Sequence, residues 1–174
     1  MRGEYAWSMS ARNAAAELLD RHVAAGRGER IAYHDDRTSL TYAALRDRAG
    51  RAGNALRALG LEPEQRVAMV MLDTIDFPAM FLGAMRAGIV PVPLNTLLPA
   101  ADYVYLLDDS RARVLVVSEA LLGKLEPAIA ASPYLRHVVV AGEASGRARL
   151  DDLLAAASPQ LDAAPTSADD IFPA

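Results

Sequence analysis

Between residues 13 and 157 the apolar positions change rhythm repeatedly, from helical spacing to short continuous runs and back. Leu45, Ala49, Ala52, Leu56 and Leu59 recur at the steps that put them on one side of a helix. Thr41 stands where an N-terminal cap is wanted, Leu40 and Leu45 flank it as a hydrophobic staple, and Gly60 stands where the chain must turn left-handed to leave the helix. Upstream, Asn13 to Val23 reads as a short amphipathic helix, and "IAYHDDRTSLTY" as a hairpin turning at Asp35 and Asp36.

Four short β-rich runs follow: "RVAMVML" from Arg66, "IVPVPL" from Ile89, "RVLVVS" from Arg113 and "RHVVVA" from Arg136. They are continuously apolar rather than alternating, which predicts a sheet covered on both faces. Helical patterns over Phe77 to Ala87, Pro99 to Asp109 and Leu121 to Ala131 separate them, each long enough for a right-handed crossover. The expected fold class is α/β, a mainly parallel sheet flanked by helices on both faces. Pro91 and Pro93 lack the N–H that a central strand must donate, so the second run should leave its sheet early and make an irregular loop at Leu94, Asn95 and Thr96.

After the helix-like "RLDDLLAAA" comes "SPQLDAAPTSADDIFPA", aperiodic and rich in Pro, Ala, Ser and Asp. The expected division is therefore an α/β unit over 1–157 and a linker-like tail over 158–174. At 174 residues and 52% apolar content, one core can be buried. A net charge of −4 with scattered positive charges argues against a nucleic-acid surface. The absence of cysteine removes disulfides, thiolate metal sites and cysteine nucleophiles, and fits a reducing cytoplasm. No apolar run approaches the ~20 residues that cross a bilayer.

The chain lacks the common catalytic motifs. Neither G-x-x-x-x-G-K-[ST] nor G-x-G-x-x-G occurs, and the glycines between Gly142 and Gly146 have neither the spacing nor the lysine of a phosphate cradle. His22, His34 and His137 lack metal-ligand spacing, and the acidic pairs sit in predicted turns, helix ends or the tail. No G-x-S-x-G surrounds a serine. No catalytic, ATP-binding or metal residue is assigned.

The run from "LTYAALRDRAG" through "GLEPEQRVA", "FLGAMRAG" and "VPVPLN" nevertheless resembles the N-terminal part of the adenylate-forming (AMP-binding) superfamily. Within it, "MLDTIDFP", "LNTLLPAADYVYLLDDSRARVLVVSEAL" and "ASPYLRHVVVAG" are similar to the benzoate-CoA ligase group. The resemblance covers about Asn13 to Ile171 and implies an incomplete N-terminal subdomain. In the family, a segment like "SADDI" leads into the loop that holds the ATP phosphates, so a chain ending "DDIFPA" is expected to be truncated before that motif.

The resemblance further implies a parent enzyme that uses ATP, Mg2+ and coenzyme A to turn an aromatic carboxylic acid into an acyl-adenylate and then an acyl-CoA. The fragment alone is expected to bind no cofactor, to catalyse nothing, to avoid membranes and to self-associate through exposed apolar surface. Loops after the early strands lie near the coenzyme A tunnel in relatives, which makes Asn95, Thr96 and Lys124 the coenzyme A-proximal candidates. Some relatives carry a basic residue two positions after the asparagine of "PLN"; Leu97 stands there here. On a competing reading Asn95 only closes a turn, Pro99 opens a helix and Lys124 is solvated. Two other functions stay open: an independent α/β small-molecule-binding module, and a non-catalytic interaction protein.

Overall fold

The computed structural model describes residues 12–143 and 146–166. Helix α1 (Ala14–His22) is capped by Asn13, whose side chain accepts from the Ala16 N–H, and runs into a π-turn over Val23–Arg27. Strands β1 (Ile31–His34) and β2 (Ser39–Thr41) form the expected antiparallel hairpin. The Asp35 side chain shapes its turn by accepting from the N–H groups of Arg37 and Thr38. Helix α2 (Tyr42–Ala58) starts at Thr41, whose hydroxyl accepts from the Ala44 N–H at 3.2 Å, and is followed by Gly60 at a φ of 84°.

The remaining elements alternate: β3 (Arg66–Val70), α3 (Asp76–Arg86), β4 (Val90–Pro93), α4 (Ala100–Ser110), β5 (Val114–Ser118), α5 (Glu119–Ala131), β6 (His137–Ala141), β7 (Ala148–Arg149) and α6 (Leu150–Ala156). The two-residue β7 has no signal in the sequence pattern. The five strands make one parallel sheet in the order β4-β3-β5-β6-β7. Strand β4 is an edge and stays paired with β3 through Pro93, so the two prolines mark an edge strand rather than one that leaves its sheet early. Val90 and Leu94 donate to Gln65 and Met69 on the β3 side, and alternation turns Pro91 and Pro93 toward the open edge, where no N–H is required.

Each face of the sheet buries its own cluster. Val67, Met69, Val114 and Val116 pack against Leu56, Met80 and Leu154 of α2, α3 and α6. On the other face Ala68, Val70, Leu115 and Val117 meet Tyr103 and Leu107 of α4 and Leu125 of α5. This double coverage is why the strands read as unbroken apolar runs.

Of the tail set apart over 158–174, residues 167–174 lie outside the described residues; residues 158–166 are aperiodic, but they pack against the α/β unit rather than lead away from it as a free linker. Leu161 and Ala164 are buried, and the segment runs as a strap across α2 and α3. Asn54 donates to the carbonyls of Ser158 and Gln160, and Arg86 donates to Leu161. Asn13 reaches from the start of α1 to the carbonyls of Met85 and Ala164, at 2.9 and 3.3 Å. Polar side chains of the helices thus supply the partners that a sheet would otherwise give, so an irregular backbone can be buried.

Candidate functional site

The strand order reverses between β3 and β5, and in open α/β sheets ligands sit outside the carboxyl ends of the strands at such a point. A cleft of about 390 Å³ lies there, lined by Thr74, Asp76, Ser118, Glu119, Glu143 and Arg149 among others. Its charges are largely spent on one another. Arg48 of α2 pairs with Asp76 and with Asp151, the latter at 3.3 Å, while Arg149 pairs with Glu143 at 3.0 Å. Glu119 accepts from the Glu143 N–H, and the Ser118 hydroxyl accepts from the Leu72 N–H at 2.9 Å. Among the described residues no base is hydrogen-bonded to that serine, which is the contact that would activate it as a nucleophile.

Asp35 fastens the hairpin to the rim of this cleft. It accepts from the Ile75 N–H at 3.0 Å as well as from its own turn. These backbone bonds, that from Ile75 foremost, hold its carboxyl below the ordinary aspartate range.

The three residues singled out from the sequence come together beyond the end of β4. The Asn95 side chain accepts from the Leu97 N–H at 2.9 Å, which closes the turn expected on the competing reading. The Lys124 ammonium, carried across from α5, donates to the Thr96 carbonyl at 3.2 Å. That lysine is half-buried rather than solvated. Tyr103 joins them: its hydroxyl donates to the Asn95 carbonyl at 2.7 Å, and the Lys124 ammonium lies 5.7 Å from its ring centroid. Sequence reasoning missed Tyr103, which reads there only as one more apolar position on α4. Leu97, in place of a basic residue, is 84% exposed.

Among the described residues, no group of three or more His, Cys, Asp or Glu side chains is placed to hold a metal ion. His34 and His137 stand exposed on β1 and β6, and His22 accepts from Arg27. No helix among the described residues is long and apolar enough to cross a membrane.

The sequence pattern of the AMP-binding enzyme family matches residues 20–172. The chain belongs to that family. It is 51% identical over 159 residues to a benzoate–CoA ligase of Thauera aromatica, covering 91% of this chain and 30% of that enzyme. It is 49% identical over 160 residues to a 4-hydroxybenzoate–CoA/benzoate–CoA ligase of Rhodopseudomonas palustris, with the same coverage. Among solved structures, a benzoate CoA ligase from Burkholderia xenovorans superposes with a TM-score of 0.85 at 42% identity, covering 92% of this chain and 32% of that one. An anthranilate CoA ligase in complex with anthranoyl-AMP superposes at 0.88 and 31% identity, covering 94% and 31%. The chain therefore spans about 30% of the length of the relatives it matches and corresponds to their N-terminal third. The parallel sheet with helices on both faces is the architecture of this part of an adenylate-forming enzyme.

Proposed function

We propose that this chain is the N-terminal part of an ATP-dependent aromatic acid–CoA ligase, whose whole form condenses the acid with ATP to an acyl-adenylate and transfers the acyl group to coenzyme A. The observation that carries this reading is the 51% identity to a benzoate–CoA ligase across 91% of the chain. The contribution of these residues is a rigid sheet and, at Asn95, Thr96 and Lys124, one wall of the coenzyme A passage. The donors there suit an anion: the Asn95 side-chain amide has no protein acceptor among the described residues, and the Lys124 ammonium uses one of its three N–H groups on Thr96. The residues present do not fit ATP and Mg2+, for which the chain offers neither a phosphate-binding motif nor a cluster of metal-ligating side chains among the described residues. A cytoplasmic setting, where ATP and coenzyme A are at hand, fits the lack of cysteine.

A chimera tests this reading. Residues 12–166 replace the matching segment of the Thauera aromatica ligase, and benzoate-dependent pyrophosphate exchange and benzoyl-CoA formation are both assayed. Activity in both half-reactions is expected. A soluble, folded chimera without either activity would refute the assignment. The 174-residue chain by itself should show no benzoate-dependent exchange of pyrophosphate into ATP, because acceleration of such chemistry needs preorganised donors on the phosphates. Exchange above a no-acid control would return the cleft at β3 and β5 to consideration as an independent binding site.

A further inference from the structure

The loop after β4 is held by a side chain that belongs to the core. Tyr103 is fully buried among Ala68, Val70, Leu115 and Leu125, yet its hydroxyl reaches out to the Asn95 carbonyl at 2.7 Å. The face of the same ring lies 5.7 Å from the Lys124 ammonium, within the range of a cation–π contact. That ammonium donates to the next carbonyl of the loop, Thr96, at 3.2 Å. One buried residue therefore touches both partners, through its hydroxyl on the loop and through its ring on the cation.

The arrangement has a directional consequence. The Asn95 and Thr96 carbonyls bond to Tyr103 and Lys124, and the Asn95 side-chain oxygen to the Leu97 N–H, so each of these oxygens already takes one hydrogen bond. The nitrogen donors the loop leaves free for a ligand are on the Asn95 amide and on Lys124. An acceptor-rich, anionic group matches that set; a cation does not. Burial pushes the Tyr103 phenol above its ordinary value, so its proton stays in place as a donor through neutral pH.

We propose that Tyr103 is a positioning residue: it fixes the Asn95–Thr96 backbone and the Lys124 ammonium so that their free donors converge on the phosphorylated nucleotide end of coenzyme A. The proposal rests on the reading of this loop as coenzyme A-proximal. It goes beyond that reading by naming the residue that sets the geometry.

The test separates the two. In Tyr103→Phe the ring, the packing and the cation–π contact remain and only the hydroxyl is lost. Backbone hydrogen exchange at Leu97 in the 174-residue chain, followed by NMR, should accelerate by about tenfold, the scale of one lost hydrogen bond. Contrary to the expectation from the sequence that the fragment binds no cofactor, the wild-type chain should bind adenosine 3′,5′-bisphosphate, the probe of the nucleotide end, titrated by chemical-shift change. Its affinity for the wild-type chain should fall by about threefold to tenfold in Tyr103→Phe and be lost in Lys124→Met, with little change in melting temperature for either. Unchanged exchange at Leu97 in Tyr103→Phe overturns the proposal. Faster exchange with a wild-type chain that does not bind the probe overturns the coenzyme reading and leaves Tyr103 a purely structural anchor. A readout that needs no substitution guards against a poorly folded variant. The wild-type Tyr103 hydroxyl proton, buried and bonded to Asn95, should exchange slowly enough to be seen, and its absence also counts against the proposal.

Discussion

A glycine inside a helix is usually a weak point, and two glycines of this chain should respond to the same substitution with opposite signs. Replacing an exposed helical glycine by alanine is worth about 1 kcal/mol of stability, through backbone entropy and helix propensity. Gly123 on α5 is such a site, exposed and with nothing within 4 Å of the methyl group that alanine would add. Gly83 on α3 is the contrary case. Its added carbon would sit 2.5 Å from the Ala49 carbonyl oxygen, 2.7 Å from the Ala52 methyl carbon and 2.9 Å from the Gly53 nitrogen. Two of those three atoms are the backbone of α2, which cannot swing aside as a side chain would.

To accept alanine at 83 the two helices must separate by roughly half an ångström or more, in a contact that is otherwise close-packed. Overpacking of this kind costs about 1–3 kcal/mol, and a clash with backbone belongs at the upper end. Set against the propensity gain of about 1 kcal/mol, Gly83→Ala should lose about 2 kcal/mol net. Thermal melting followed by circular dichroism should then show a fall of about 4–8 °C for Gly83→Ala and a rise of about 2–4 °C for Gly123→Ala. Urea titration with an unchanged slope would confirm that the native state is what moved. If Gly83→Ala melts at or above the wild-type temperature, the close approach of α2 and α3 is not what the glycine serves.

Three further outcomes follow from particular contacts. Asp35 has a depressed folded-state pKa, so its tether contributes stability above the ordinary aspartate value of about 3.9 and loses it as the pH falls through the lower folded value; Asp35→Asn should flatten that acid limb in melts between pH 6 and 3, and an unchanged limb would exclude the tether. Asn13→Asp keeps the oxygen that caps α1 but puts a carboxylate against the Met85 and Ala164 carbonyls, so it should destabilise by about 2 kcal/mol and speed hydrogen exchange at Ala164, whereas an ordinary cap site would tolerate aspartate. The exposed Ile31, Leu97 and Tyr105, with the open edges of the β1–β2 pair, should drive concentration-dependent self-association in sedimentation velocity, and a concentration-independent monomer would count against it.

What could be read from the sequence was what local chemistry decides. Thr41, the Leu40 and Leu45 pair and Gly60 bracket α2 because caps and left-handed exits act within a few residues. Asp35 marked its turn for the same reason. The prolines at 91 and 93 signalled from the sequence alone that β4 could not be an ordinary central strand, since a residue without an N–H leaves few places in a sheet; that it is an edge paired with β3 through Pro93 emerged only from the structure. For the candidate site, Asn95, Thr96 and Lys124 were legible only through family resemblance; no spacing rule connects a lysine on α5 to a loop that ends 28 residues earlier.

The strap over 158–166 shows why the rest was not legible. Its composition describes a segment that cannot bury a periodic face, and it does not bury one. It becomes ordered because α2 and α3 present what it lacks: Asn54, Arg51 and Arg86 donate to backbone carbonyls in or beside it, and Gly50 gives the room in which the Pro159 backbone lies against the helix. On α2 those positions read as polar residues and a glycine on the solvent side of an amphipathic helix. The meaning of Asn54 or Gly50 is set by a segment about a hundred residues away in the chain, separated from it by a whole sheet. The same holds for Tyr103, which periodicity assigns to the core and geometry assigns to the core and the loop at once. A side chain whose apolar body and polar tip serve different neighbours is counted once by any pattern, and the polar half of its work appears only when the backbone has been brought round to meet it.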